Sequence, residues 1–89
     1  MYQLRIEHSV PDYNNWKRAF DSDPVNRNKI RILRPIDNPS YVIIDLDFDS
    51  VQHAEALLAA MREVWKNVEG KIIMNPQVRI SEIVQTTTI

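Results

Sequence analysis

Apolar and polar residues alternate along this chain with two different periods, which together predict four strands and two helices. Between Tyr2 and Val10 the even positions are mostly apolar and the odd positions are polar, the period of a half-buried strand. Between Ala54 and Val68 apolar residues recur every three or four positions, as on one face of a helix. The predicted strands are Tyr2–Val10, Lys29–Asp37, Tyr41–Phe48 and Gln77–Thr86, and the predicted helices are Asp12–Phe20 and Val51–Val68.

Turn-forming residues mark the ends of the first three elements. Asp12 places a carboxylate in the first turn of the first helix, where it interacts favourably with the helix dipole. Asp23-Pro24 ends that helix, because the residue before a proline is pushed out of the helical region. The turn formers at positions 37–40 predict a hairpin between the second and third strands.

The second helix has signals at both ends. Asp49 or Ser50 caps its start, and Gln52 stands three residues after Asp49 in a capping-box relation. Gly70, the only glycine, stops the helix. The segment Lys71–Pro76 is ambiguous between a short strand and a packed turn.

The order βαββαβ predicts an α+β ferredoxin-like fold, with a four-stranded antiparallel sheet and two helices on one face. We expect residues 1–89 to form a single domain. The first and third strands are central in this topology. The helix-covered face should carry the apolar positions Leu4, Ile6, Ile30, Ile32, Val42, Ile44, Leu46, Phe48, Val78 and Ile80.

The opposite face of the sheet mixes charged and apolar side chains. Its predicted members are Arg5, Glu7, Arg31, Leu33, Tyr41, Ile43, Asp45, Asp47 and Arg79, together with Ile83. Three carboxylates and three guanidinium groups can neutralise one another across the strands. Two interpretations stay open: a solvated polar face, or a face that packs against the same face of a second copy.

Composition narrows the possible partners and chemistries. The net charge is −1, with eleven basic and twelve acidic residues, whereas nucleic-acid and anionic-membrane partners call for a basic excess. There is no cysteine, a single glycine rules out a glycine-rich phosphate loop, and neither histidine has metal-ligand spacing. We therefore expect no cofactor and no metal. Met1 leads directly into a strand pattern, so a cytoplasmic location is the expectation.

Three segments carry a resemblance to a known family: His8–Trp16, Tyr41–Ser50 and Pro76–Glu82. With the βαββαβ order they make the chain resemble the dimeric α/β-barrel superfamily, in particular short bacterial proteins of unassigned function related to antibiotic-biosynthesis monooxygenases. The resemblance implies a homodimer whose two sheets close into a barrel, and a small-ligand pocket inside each protomer. Heme-degrading members carry an asparagine on the first strand, and this chain has none there.

Five residues are candidates for that pocket: His8, Tyr13, Trp16, Phe20 and Trp65. His8 is the candidate catalytic residue, since an imidazole beside aromatic rings suits acid–base chemistry on a flat organic ligand. A structural histidine bonded to a nearby carbonyl group or to Asp12 is the alternative. The aromatic residues line a cavity or simply fill the core.

Three functions follow. The first is a homodimer that binds a small aromatic or apolar ligand between sheet and helices. The second is a cofactor-independent monooxygenase or polyketide-cyclase-like enzyme that uses His8, with Tyr13, Trp16 and Trp65 as pocket walls. The third is a structural or interaction module whose pocket is filled by its own side chains. Whether the protein is an enzyme, and which ligand it takes, stays open at this point.

Overall fold

The chain folds into a four-stranded antiparallel sheet with two helices on one face. A computed structural model describes residues 1–21 and 30–88. The elements are β1 Tyr2–Ser9, α1 Tyr13–Asp21, β2 Ile30–Leu33, β3 Tyr41–Phe48, α2 Val51–Val68 and β4 Met74–Glu82. The predicted ferredoxin-like α+β fold is confirmed. The predicted ends of α1 at Asp23-Pro24 and of β2 at Lys29 lie outside the described residues.

The strand order is β2-β3-β1-β4, so β1 and β3 are central, as the sequence predicts. β1 pairs with β3 over its whole length, from Tyr2 opposite Phe48 to Ser9 opposite Tyr41. The β1–β4 ladder shifts register between Glu7 and Ser9. Antiparallel pairing places directly opposite residues on the same face, so the strand period decides which residues meet the helices.

The helix-covered face of the sheet is the core of the molecule. Apolar residues of the central strands are fully buried there, and those of the two edge strands are half-buried. The core consists of Leu4, Ile6, Val10, Trp16, Val42, Ile44, Leu46, Phe48, Ala54, Met61, Trp65 and Ile73, with Ile30, Ile32, Val78 and Ile80 packed against it. The predicted helix-facing set is confirmed.

The two edge strands differ from their predicted bounds. β2 ends at Leu33 and not at Asp37, since Pro35 lacks an N–H donor and constrains the residue before it. β4 begins three residues early, at Met74, and contains Pro76, which an edge strand tolerates. β4 ends at Glu82 and not at Thr86, because Glu82 pairs with Tyr2, the first residue of β1, and among the described residues no strand lies beyond it. The last hydrogen bond between the two segments runs from the Ile83 N–H to the Met1 carbonyl, at 3.0 Å.

The caps of the two helices also refine the predictions. Asp12 is the N-cap of α1 and not part of its first turn, since its Oδ1 accepts the Asn15 N–H at 3.1 Å. Ser50 caps α2 by accepting the His53 N–H at 3.2 Å. The third helical position is therefore His53, so the capping-box role predicted for Gln52 is wrong. Gly70, at φ +87°, follows the end of α2 as predicted.

Candidate functional site

His8 lies on β1, on the face that the helices cover, and it is 2% exposed. Its Nδ1 lies 3.2 Å from the carbonyl oxygen of Ser9, and its ring meets the Trp16 ring edge-on with centroids 5.8 Å apart. The residue stands where the β1–β4 ladder shifts register, opposite the part of β4 where Asn75 adopts a left-handed conformation at φ +53°. Bulges of this kind interrupt pairing and re-aim neighbouring side chains.

Burial sets the protonation state of His8. It lowers the pKa of His8 below the ordinary 6.5, and the hydrogen bond to Ser9 offsets part of that effect. The imidazole is therefore neutral at pH 7. A neutral imidazole can accept a proton, which is what a general base requires.

The aromatic residues of α1 form one continuous row. Tyr13, Trp16 and Phe20 are spaced three and four residues apart, with centroid distances of 5.8 Å for Tyr13–Trp16 and 5.1 Å for Trp16–Phe20. The guanidinium group of Arg34 lies 4.4 Å from the centre of the Tyr13 ring, within cation–π range. Trp16 is the one fully buried residue of α1 and touches both His8 and Phe20.

A small cavity of about 50 Å³ lies between α1, α2 and the turn after α2. Its walls are apolar or aromatic throughout: Trp16, Ala19, Phe20, Met61, Val64, Trp65, Val68, Ile72 and Ile73. Three of the five predicted pocket residues, Trp16, Phe20 and Trp65, meet here. His8 and Tyr13 contact Trp16 but do not line this cavity.

Sequence reasoning missed several cavity walls. Val64 and Val68 follow Met61 at helical spacing, so the apolar period of α2 could have placed them on the same helix face as Met61 and hence in the cavity wall. Ile72 and Ile73 lie in the turn whose role was ambiguous. That turn is held by the Gly70 N–H bonded to the Ile73 carbonyl at 2.7 Å, a contact with no sequence period.

The open face of the sheet carries one row of charges across all four strands. Arg31 is opposite Asp45, Asp45 is opposite Arg5, and Arg5 is opposite Arg79. Arg5 donates to Asp45 through Nε at 2.8 Å and Nη2 at 2.9 Å, a bidentate ion pair. Asp45 is 4% exposed in a single chain, whereas the Arg5 side chain is 44% exposed.

The remaining charges of this face are not neutralised in the way that the sequence predicts. Glu7 accepts the Tyr41 hydroxyl at 2.7 Å, and burial together with Glu7 raises the pKa of Tyr41. Within residues 1–21 and 30–88, Arg31, Asp47 and Arg79 form no ion pair. Among the described residues of one chain, Arg5–Asp45 is therefore the one ion pair formed out of the expected three carboxylates and three guanidinium groups.

The predicted apolar members of this face, Leu33 and Ile43, are directly opposite each other on β2 and β3. Tyr41 is on the same face, two residues before Ile43, and it is half-buried like Ile43, whereas Leu33 is exposed. Leu33, Tyr41 and Ile43 thus form an apolar corner beside the charged row. Ile83, half-buried, lies at the far end of β4, outside this corner.

Two further observations bear on the candidate chemistry. Among the described residues, no three His, Asp or Glu side chains come together in a way that could hold a metal ion. In that same part of the chain, neither helix has the length and apolar content needed to cross a membrane.

Comparison with known proteins shows a likeness to solved structures and not to known sequences. No known protein family and no curated protein matches the sequence. Among solved structures, the chain is similar to a candidate antibiotic biosynthesis monooxygenase from Deinococcus radiodurans, with a TM-score of 0.73. The two chains share their fold. The match covers 100% of this chain and 98% of that one at 9% sequence identity, so the resemblance predicted from the sequence is confirmed as a likeness of fold.

Proposed function

We propose that the protein binds a small, uncharged aromatic or apolar molecule between its two helices. The observation that carries this proposal is the composition of the cavity wall. Every lining side chain is a hydrocarbon, a thioether or an aromatic ring, and none carries a charge. A charged ligand would lose its hydration there without gaining a partner.

The size of the cavity sets how the ligand gains access. About 50 Å³ holds only a few heavy atoms, whereas pockets for organic ligands usually measure about 300–1,000 Å³. A flat ring therefore requires α1 to move away from α2. α1 has nine residues and buries only Trp16 fully, so its displacement costs little apolar contact compared with the long helix α2.

Binding of 2-naphthol, which is uncharged at neutral pH, tests the proposal. The intrinsic fluorescence of the two tryptophans reports binding, since both line the cavity. We expect saturable quenching by 2-naphthol and at least tenfold weaker quenching by the 2-naphthoate anion. Val64→Phe, which adds bulk at a partly exposed cavity wall, should weaken 2-naphthol binding at least tenfold. Val84→Phe, the same change at an exposed residue outside the cavity, should leave it unchanged.

The proposal includes a homodimer formed through the open faces of two sheets. Three features support it: the apolar corner of Leu33, Tyr41 and Ile43, the opposite charges of Arg31 and Asp47, which no described residue of the same chain neutralises, and the shared fold. Buried ion pairs across such an interface fix its register more than they strengthen it. Light scattering at micromolar concentration should give twice the mass of one chain; the mass of a single chain would contradict the dimer.

A cofactor-independent monooxygenase is the second candidate, favoured by the neutral His8 beside the aromatic row and by the fold of the structural relative. His8 would act as general base toward a phenolic hydroxyl group. Because Trp16 contacts His8 and also lines the cavity, the Trp16 ring must turn aside before a ligand reaches the imidazole. Oxygen uptake with a polycyclic quinol, lost in His8→Ala while 2-naphthol binding is kept, would establish this activity.

The third candidate is a module whose pocket is filled by its own side chains. The small volume of the cavity favours it, and its expected result is distinct. Neither 2-naphthol nor a quinol would then quench the tryptophan fluorescence saturably, and Val64→Phe would change stability alone.

A further inference from the structure

A second concave region lies on the opposite side of the sheet from the apolar cavity. It is a basin of about 560 Å³ on the open face, lying over β1 and β4. Its lining is almost entirely polar: Gln3, Arg5 and Glu7 from β1, and Gln77, Arg79 and Ser81 from β4, with Val78. This basin shares no residue with the cavity between the helices.

Two arginines stand side by side in the basin. Arg5 and Arg79 are directly opposite each other on neighbouring strands, an arrangement that is unfavourable for like charges. Arg5 is neutralised from the other side by Asp45 on β3, through two hydrogen bonds. The side chain of Arg79 has no hydrogen bond or ion pair with any described residue. No residue in the described part of the chain therefore neutralises the positive charge of Arg79.

The single acid of the basin is directed to another partner. Glu7 accepts the hydroxyl of Tyr41 at 2.7 Å, and Tyr41 is on β3, across β1 from β4. Arg79 has Gln77 and Ser81 as its same-face neighbours along β4, and on β1 it has Arg5 directly opposite, with Gln3 and Glu7 on the two diagonals. The amides of Gln3 and Gln77 and the hydroxyl of Ser81 are neutral hydrogen-bonding groups. Such groups can donate to an anion without cancelling its charge.

We propose that this basin is a binding site for a small oxyanion, a carboxylate or a phosphate group, held by Arg79. The planar guanidinium group of Arg79 can take two oxygens of the anion at once, and the amide and hydroxyl groups around it supply further donors. The volume of the basin admits a small organic acid, not only a bare ion. The basin lies on the same open face through which we propose that two chains associate.

Amide NMR of the intact chain tests the proposal at constant ionic strength. Succinate and inorganic phosphate are the two probes, one for each source of the oxyanion. We expect saturable shifts at Gln77, Arg79 and Ser81 with at least one probe, and the stronger probe identifies the group that binds. Arg79→Gln should weaken the effect at least tenfold. Arg62→Gln, the same change on the exposed side of α2, should leave it intact.

Three results would overturn the anion site. The first is the absence of saturable shifts with both probes, and the second is equal binding by the wild type and Arg79→Gln. The third is dissociation of the dimer by Arg79→Gln without any added anion, because Arg79 would then be paired with a carboxylate of a second copy. Binding of 2-naphthol should be unchanged in Arg79→Gln, so failure of the anion site is distinguishable from failure of the proposed function.

Discussion

The two faces of the sheet are built from alternate residues of the same strands, yet one is buried and apolar and the other is open and charged. On β1, Leu4 and Ile6 are buried under the helices, while Arg5 between them is exposed and bound to Asp45. The helix-covered face is packed by the two helices of the same chain, and only a cavity of about 50 Å³ remains beneath them. The open face keeps unpaired charges, an apolar corner and a wide basin. The helix-covered face supplies most of the stability, and a ligand can enter it only if α1 moves, whereas the open face is exposed in a single chain.

The largest expected effect is a loss of stability from a change on the helix-covered face. Trp65 is 7% exposed and packs in the core as well as lining the cavity. Trp65→Ala should lower the free energy of unfolding by about 3–5 kcal/mol, the usual cost of truncating a large buried side chain. Urea denaturation measures the change. Lys66→Ala, at the next and exposed position, is the control, and equal effects of the two variants would show that the phase of α2 is misassigned.

Removal of the Asp45 carboxylate tests how much the open face contributes to stability and to dimer formation. Asp45→Ala leaves Arg5 without its partner, but the side chain of Arg5 is half exposed and can return to water. We therefore expect a smaller loss of stability than the 3–5 kcal/mol typical of a broken, fully buried pair. If the open face is the dimer interface, the dimer dissociation constant should rise at least tenfold, which sedimentation equilibrium can measure. Glu55→Ala on the outer surface of α2 should not change it; an unchanged constant in Asp45→Ala would place the interface elsewhere.

Acid should destabilise the helix face through His8. The pKa of His8 is lowered in the fold, so the unfolded chain binds this proton more readily. Stability is therefore complete above the unfolded pKa of about 6.5 and falls as the pH drops below it, down to the folded pKa. Between pH 7.5 and 5.5 we therefore expect the free energy of unfolding to fall, and the fall is larger the further burial lowers the pKa of His8.

The matched control for that prediction is the other histidine. His8→Gln should remove this part of the pH dependence, whereas His53→Gln, at an exposed position in the first turn of α2, should retain it. Denaturation curves at several pH values compare the three proteins. A wild type and a His8→Gln variant with parallel pH profiles would show that His8 is not held neutral by burial.

The smallest effect concerns the cap of α2. Ser50→Ala removes the acceptor of the His53 N–H and should cost about 1 kcal/mol. Gln52→Ala should be nearly neutral, because Gln52 does not occupy the third position of the helix. A larger loss of stability in Gln52→Ala than in Ser50→Ala would show that Gln52 takes part in a capping box, as the sequence suggests.

The contrast between the faces also explains what sequence patterns can predict. The alternation of buried and exposed positions is a strong signal for Leu4, Ile6, Val42 and Ile44, because burial against the helices favours apolar side chains; His8 is the buried polar exception on β1. The open face has no such constraint. Strand order places Arg31, Asp45, Arg5 and Arg79 in one row, but the choice of Arg5 as the partner of Asp45 depends on side-chain conformation.

The cavity was predictable only in part for a similar reason. Trp16, Phe20 and Trp65 follow helical spacing and line the same cavity. His8 has the correct parity and contacts Trp16, but parity does not show that the Trp16 ring also forms part of the cavity wall. The turn at Ile72 and Ile73 is shaped by backbone hydrogen bonds around Gly70, which leave no periodic signal in the sequence.

The central claim is that ligand binds on the helix-covered face, between α1 and α2. The most direct test follows the indole N–H signals of the two tryptophans in a two-dimensional NMR titration with 2-naphthol, since both rings line the cavity. We predict that both indole signals shift saturably and together, while the amide signals of Arg5 and Arg79 on the open face stay in place. Shifts confined to the open face, or indole signals that do not move at saturating 2-naphthol, would contradict the account.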